Sequence, residues 1–186
     1  MKKNKITNSL LILVSGVLLG ILSKFLDSKD ILFDLGNFLS GFSIWIFIGL
    51  AISIYSKTPL KASINVFLFF IGMTVSYHLY SIFVCGFNPM SYMMIWYGIT
   101  LISPVFAYIC WYLRKDTNLS IALSTVILFI MYQSCFSIGM WYFDIKTIYD
   151  LLVFIGTVMV LYKKPKNTII ELVIGLILSF FIRLPI

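Results

Sequence analysis

The residues best suited to chemistry lie in the longest stretch of the chain that carries no charged side chain, from Ala62 to Leu113. It contains His78, the only histidine, and Cys85 follows seven positions later. A histidine can act as the base that activates a cysteine nucleophile. On a continuous helix the two residues would lie about 10 Å apart along the axis, so such a pair requires the helix to break at Gly86 or earlier. The alternatives for His78 are a hydrogen bond to a neighbouring helix, contact with a ligand, and metal binding.

The spacing of His78 and Cys85 resembles that of the membrane-embedded cysteine endopeptidases that process quorum-sensing peptides in Gram-positive bacteria, which are also small, basic, multi-pass proteins. The resemblance implies a peptidase with His78 as base and Cys85 as nucleophile. That family has a basic segment rich in His and Gly around its histidine, whereas here the neighbours are apolar or tyrosine. A peptidase is therefore the least favoured function, and an enzyme is less expected than a binding protein.

Aromatic and amide side chains near one end of the third, fourth and fifth predicted membrane spans form the second candidate site. Aromatic surface with a few hydrogen-bonding groups is typical of a small-molecule pocket. The same residues would also suit lipid-facing packing with an aromatic belt at the membrane interface. The candidate ligand-binding residues are Tyr77, His78, Tyr80, Asn88, Tyr92, Trp96, Gln133 and Trp141.

No metal site or cofactor is expected. The three cysteines, Cys85, Cys110 and Cys135, show no CxxC spacing, and one histidine allows no HxxxH pair. The chain has no nucleotide or phosphate-binding motif. Its net charge of +7 comes from short clusters of Lys and Arg between apolar runs, which is not the basic surface of a nucleic-acid-binding protein.

The composition identifies the environment in which these residues must be positioned. The chain is 61% hydrophobic and only 11% charged, with a mean hydropathy of +1.02, so it requires lipid as its solvent. Runs of about 20 apolar residues predict membrane-spanning helices. We expect one integral membrane domain over 1–186, an all-α polytopic transmembrane helical bundle of about seven spans: 6–25, 35–56, 62–84, 91–113, 119–140, 145–162 and 168–185. The alternative is six, because the short sixth span carries Asp150 and could lie at the interface.

The distribution of Lys and Arg predicts the orientation in the plasma membrane, because cytoplasmic loops retain them. With the N-terminus in the cytoplasm and seven spans, Lys24, Lys29, Lys146 and Arg183 lie outside and the other ten basic residues lie inside. This topology places His78, Cys85 and the aromatic residues towards the outside. The peptidases named above work from the cytoplasmic side, which is a further departure from that family.

The first predicted span carries a GxxxG pattern formed by Gly16 and Gly20, which lets two helices approach closely. The pattern predicts association either within the bundle or with a partner, which would be another membrane protein or a second copy of this chain. The lipid bilayer is the other expected partner.

At family level, the runs 77–81, 86–89 and 91–98 resemble small uncharacterised multi-pass membrane proteins of Gram-positive, low-GC bacteria, a group that implies no particular activity. Two functions are then expected from the residues. The first is a small-solute binding or transport subunit with an outward-facing aromatic site, similar in size and span number to the substrate-capturing subunits of vitamin uptake systems. The second is an interaction, accessory or immunity protein of the membrane.

Overall fold

The computed structural model describes residues 3–28, 35–139 and 141–183, with side chains from Ser9 onward. The described part is built from eight α-helices, a single turn of 3-10 helix and a two-stranded hairpin. The prediction of an all-α helical bundle is therefore confirmed, with a short hairpin that was not expected. The elements in chain order are α1 Lys3–Asp27, α2 Leu35–Ser40, α3 Ser43–Tyr55, α4 Pro59–Phe83, α5 Met90–Trp111, the 3-10 turn Tyr112–Arg114, α6 Asn118–Cys135, β1 Phe136–Ile138, β2 Phe143–Ile145, α7 Ile148–Leu161 and α8 Pro165–Phe181.

Four helical segments of the described part are long and apolar enough to cross a membrane: Ser9–Asp27, Pro59–Phe83, Met90–Arg114 and Asn118–Cys135. They correspond to the first, third, fourth and fifth predicted spans. The other predicted spans contain shorter helices, since α3 has 13 residues, α7 has 14 and α8 has 17. By length and composition, the fold is that of a membrane protein with four candidate spans.

Polar residues fix where several helices begin. Thr58, Thr117 and Thr147 precede α4, α6 and α7, and each hydroxyl accepts a hydrogen bond from the backbone N–H three residues later. This contact satisfies one of the donors left free in the first turn of a helix. Proline occupies the first turn of α4 and of α8, where its missing N–H does no harm. Both helices therefore begin about one turn earlier than hydropathy predicted.

The second predicted span, 35–56, is not continuous. It divides into α2 and α3, with Gly41 and Phe42 between them. In a continuous helix the carbonyl of Leu39 would accept from the N–H of Ser43. Instead it accepts from the indole Nε1 of Trp45 at 2.8 Å and from the hydroxyl of Ser23 at 3.4 Å. Side-chain donors thus replace the backbone bond lost at the break.

The fifth and sixth predicted spans, 119–140 and 145–162, are shorter than expected. Helix α6 ends at Cys135, and β1 then pairs antiparallel with β2, with Phe136 opposite Ile145 and Ile138 opposite Phe143. The ring of Phe136 stacks on Phe143 at 4.8 Å and packs edge-on against Phe154 at 5.1 Å. These contacts hold the hairpin against α7. Residue 140 lies outside the described residues.

Successive long segments run in alternating directions between two ends of the bundle. Hydrogen bonds from Ser9 to Asn65 and from Tyr77 to Asp27 show that α1 and α4 are parallel. Bonds at both ends likewise make α6 and α8 parallel, because Asn167 contacts Asp116 and Gln133 contacts the carbonyl of Ile182. We call the end with Asp27, Ser40, Tyr92 and Asp150 the Asp27 end, and the end with Ser56, Asn65, Trp111 and Ser120 the Ser56 end.

Glycines bring α1 and α4 into close contact within one chain. A Cβ atom on Gly16 would lie 2.2 Å from the carbonyl oxygen of Phe69, and one on Gly20 would lie 2.3 Å from that of Met73. The GxxxG pattern is therefore used inside the bundle. Association with a partner or a second copy through Gly16 and Gly20 stays a prediction.

Replacing Gly16 with alanine tests this packing. The new methyl group meets backbone that cannot rotate away, so we expect Gly16→Ala to destabilise the fold by about 1–3 kcal/mol. The matched control is Gly98→Ala on α5, because a Cβ atom there meets nothing within 4 Å and alanine favours the helix. Thermal unfolding in detergent would measure both variants. A Gly16→Ala protein as stable as Gly98→Ala would contradict the close approach.

Candidate functional site

Three cavities surround the break between α2 and α3, and the segment from Asn37 to Trp45 contributes to each of them. The Asp150 cavity has a volume of about 200 Å³. The aromatic cavity holds only about 10 Å³. The apolar cavity, between α3, α4, α5 and α6, holds about 310 Å³.

The Asp150 cavity lies at the Asp27 end, where four elements meet. The break between α2 and α3, the C-terminal end of α6 and the start of α7 form its walls. Its walls carry several polar groups, in contrast to the apolar cavity. The lining residues are Asn37, Phe38, Gly41, Phe42, Ser43, Ser134, Lys146, Thr147 and Asp150.

Asp150 is the buried charge of this cavity, with 5% of its surface exposed. The hydroxyl of Ser43 donates to its Oδ1 at 2.6 Å, and the hydroxyl of Thr147 donates to its Oδ2 at 2.9 Å. The backbone N–H of Asp150 donates in turn to Thr147 Oγ1 at 3.1 Å. Asp150 also lies in the first turn of α7, where the helix dipole stabilises a negative charge. The carboxylate is therefore held in one orientation between α3 and α7.

Two further groups give the cavity its chemical character. The hydroxyl oxygen of Ser134 is buried and has no hydrogen-bond partner. Lys146 is exposed at the rim, where its ammonium group donates to the carbonyl of Gln133 at 3.1 Å. The cavity thus combines a buried carboxylate, an unpartnered hydroxyl and an ammonium group near solvent. This set can bind a small polar solute, since charged groups form the strongest hydrogen bonds available to a protein.

Three of the predicted ligand-binding residues meet at the aromatic cavity. The ring of Tyr92 lies 6.2 Å from that of Tyr77 and 6.2 Å from that of Trp96, and Phe42 stacks on Trp96 at 5.2 Å. A volume of about 10 Å³ has room for about one water molecule. The rings therefore fill the space between them, and Phe42 is the one of these four that also lines the Asp150 cavity.

An ion pair between a buried lysine and a partly exposed aspartate borders this aromatic group at the Asp27 end. Lys24 is only 6% exposed, and its ammonium group lies 2.7 Å from Oδ2 of Asp27. The same oxygen accepts from the hydroxyl of Tyr77 at 3.2 Å, and Oδ1 accepts from Ser40 at 3.3 Å. The ammonium group also lies 4.9 Å from the ring centre of Phe87. This network connects α1 to α2 and α4.

His78, on α4, forms a separate group with residues before and within α5. Its Nδ1 lies 2.7 Å from the hydroxyl of Tyr97, and its Nε2 lies 2.8 Å from Oδ1 of Asn88. Both ring nitrogens therefore have partners other than Cys85. This arrangement favours a structural role for His78 over the base of a cysteine peptidase.

The remaining predicted residues do not join either group. Gln133 donates to the carbonyls of Ser179 and Ile182, which ties α6 to α8. Trp141 is 93% exposed on the hairpin, and Tyr80 is half-buried on α4. Ligand binding by the eight residues as a set stays a prediction.

The eight candidate ligand-binding residues do not include Ser43, Ser134, Thr147 or Asp150. Asp150 entered the sequence analysis only as a charged residue in the short sixth span. One signal was present, because Thr147 and Asp150 have the spacing of a helix-capping pair. That spacing predicts a helix start near residue 148, and so an acidic side chain in the first turn.

No protein-family model, no characterised protein and no experimentally determined structure matches this chain. The functional interpretation therefore depends on the geometry described above.

Removing the charge of Asp27 tests its ion pair with Lys24. We expect Asp27→Asn to destabilise the fold by about 1–3 kcal/mol, because it leaves Lys24 buried without a counter-ion, while partial exposure of Asp27 reduces the effect. The control is Asp116→Asn, which removes the exposed pair of Asp116 and Lys164 and should change nothing measurable. Thermal unfolding in detergent distinguishes the two. Equal stability of both variants would show that the Lys24–Asp27 pair contributes nothing.

Proposed function

We propose that this protein is a multi-pass membrane protein that binds a small, ammonium-bearing solute in the Asp150 cavity, as a binding or transport subunit. The observation that carries the proposal is a buried carboxylate, held by Ser43 and Thr147, beside a cavity of about 200 Å³ at a helix break. One residue links the site to the predicted aromatic group, because Phe42 lines the cavity and stacks on Trp96.

The proposal includes seven membrane crossings, with the N-terminus in the cytoplasm. The alternating directions of α1, α2–α3, α4, α5, α6, α7 and α8 support this count. Among the described side chains, Lys57, Lys61, Arg114, Lys115, Lys163, Lys164 and Lys166 lie towards the Ser56 end, whereas Lys24, Lys146 and Arg183 lie towards the Asp27 end. The excess of basic residues favours a cytoplasmic Ser56 end. The Asp150 cavity then faces outward.

The short helices are compatible with crossing a bilayer. Helices α3 and α7 are each about 20 Å long, which is less than the hydrocarbon thickness of about 30 Å. Short segments are accommodated by local thinning of the bilayer and by polar residues at their ends. The break between α2 and α3 and the hairpin before α7 place irregular backbone next to a cavity, where membrane proteins tolerate it.

The charges of the cavity indicate the class of solute. Asp150 is an acceptor that suits an ammonium group, and Ser134 adds a second buried oxygen. Lys146 lies at the rim, so a carboxylate on the same solute would meet a positive charge there. The volume of about 200 Å³ suits a small solute. Solute sites beside broken helices occur in several transporter folds.

The apolar cavity favours the second function, an interaction or accessory protein. It is lined almost wholly by apolar side chains, and two of them, Ile102 and Phe106, are more than half exposed on the surface of α5. Its volume of about 310 Å³ could receive an apolar chain or side chains from another membrane protein. A protein with this function would show no response to small polar solutes.

Pairs of matched solutes test the proposed function. We expect ethanolamine or glycine to raise the melting temperature of the detergent-solubilised protein, whereas ethylene glycol and glycolate, which lack the ammonium group, do not. A ligand at 100 times its Kd stabilises the folded state by about 2.7 kcal/mol. Asp150→Asn should lose the response, and Asp144→Asn, on the exposed hairpin, should keep it. The proposal fails if neither ammonium solute stabilises the protein or if Asp150→Asn responds like the wild type.

A further inference from the structure

A second group of buried polar side chains lies between α6 and α8, away from the Asp150 cavity. Glu171 is only 1% exposed, and neither of its carboxylate oxygens has a hydrogen-bond partner. The hydroxyls of Ser124 and Thr168 are also buried, at 0% and 7% exposure, and also lack partners. Four unpartnered oxygen atoms thus belong to three residues on two helices.

The register of the two helices brings these residues together. Helices α6 and α8 are parallel, and Asn167 contacts Asp116 at one end. Further along, Gly175 packs against α6, where an added Cβ atom would lie 3.5 Å from the carbonyl oxygen of Thr125. Positions 168 and 171 therefore lie against the part of α6 that includes Ser124. Since residues three apart share one face of a helix, Thr168 and Glu171 both face this part of α6.

The charged groups around Glu171 leave its carboxylate without an ion pair. Lys163, on the link before α8, donates its ammonium group to the hydroxyl of Ser120. Burial lowers the pKa of Lys163, and the nearby carboxyls of Glu171 and Asp116 partly oppose that shift. Asp116 itself pairs with Lys164. Lys163 is thus close enough to act on Glu171 through space, yet it forms no hydrogen bond to it.

A buried carboxylate without a partner is strongly unfavourable, and in proteins such a group is neutralised by a proton or by a bound cation. The hydroxyls of Ser124 and Thr168 also lack hydrogen-bond partners. Oxygen atoms such as those of hydroxyl and carboxylate groups are the ligands that small hard cations prefer. An ionisable residue within a membrane-embedded helix is by default a functional candidate.

We propose that Glu171, Ser124 and Thr168 form a binding site for one monovalent cation, a proton or Na⁺. A proton would convert the carboxylate to a neutral carboxylic acid, and Na⁺ would be held by the carboxylate and the two hydroxyls. The site lies towards the Ser56 end, opposite the Asp150 cavity. It does not depend on solute binding there, although in a transport subunit it would provide the coupling ion.

The melting temperature of the protein, measured from pH 5 to 9 in choline chloride, KCl and NaCl of equal concentration, tests this site. If the occupant is Na⁺, the wild type should melt about 2–4 °C higher in NaCl than in the other two salts. If it is a proton, the wild type should lose stability as pH rises and the proton leaves. The glutamine side chain of Glu171→Gln is neutral at every pH, so the melting temperature of this variant should no longer respond to Na⁺ or to pH in the wild-type manner. The melting temperature of Asp116→Asn should keep the wild-type response.

Three results would overturn the proposal. A Glu171→Gln protein with the wild-type response to pH and Na⁺ would exclude Glu171 as the site. A response that disappears in Lys163→Met and persists in Glu171→Gln would assign the titration to Lys163. If the Glu171→Gln protein does not fold, infrared spectroscopy of the wild type replaces it as the test of a bound proton. The band of a protonated carboxyl group would support the site. Its absence at every pH, together with no effect of Na⁺, would also contradict the site.

Discussion

The hydrogen bond from Ser43 to Asp150, at 2.6 Å, joins the two elements on which the proposed site depends. Ser43 begins α3 immediately after the break, and Asp150 lies in the first turn of α7. Inside a membrane protein every polar group freed by a break must find a partner within the protein. Trp45 and Ser23 satisfy the carbonyl of Leu39, and Ser43 holds the buried carboxylate. The break is thus stabilised by its neighbours, and one of them, Ser43, also lines the Asp150 cavity.

Helix α6 connects the two polar regions of the bundle. Ser134 faces the Asp150 cavity near one end of this helix, and Ser124 lies in the group with Glu171 nearer the other end. Gln133 fixes α6 to α8 beside the first region. A solute at Asp150 and a cation at Glu171 would therefore contact the same helix, which gives the two proposed sites a direct structural connection.

The sequence predicted the long helices, whose positions depend on average hydrophobicity. It did not predict the break, the hairpin or the polar sites, which depend on a few specific contacts. Long apolar runs predicted the positions of α1, α4, α5 and α6 to within a few residues. The break at Gly41 was missed because hydropathy averages over a window, and the apolar residues on both sides concealed it. The hairpin was missed for the same reason. Asp150 and Glu171 were not selected as candidate site residues, because sequence alone does not show which side chains lie beside them.

The reactivity of a cysteine placed at Ser134 tests the central claim most directly, in a chain whose three native cysteines are alanine. The claim is that this buried position borders a polar cavity with a negative charge. We expect Ser134→Cys in the folded, detergent-solubilised protein to react with a small cationic methanethiosulfonate faster than with an anionic one, and Ser124→Cys to react with neither. No reaction at position 134 before unfolding, or equal rates for both reagents, would contradict the account.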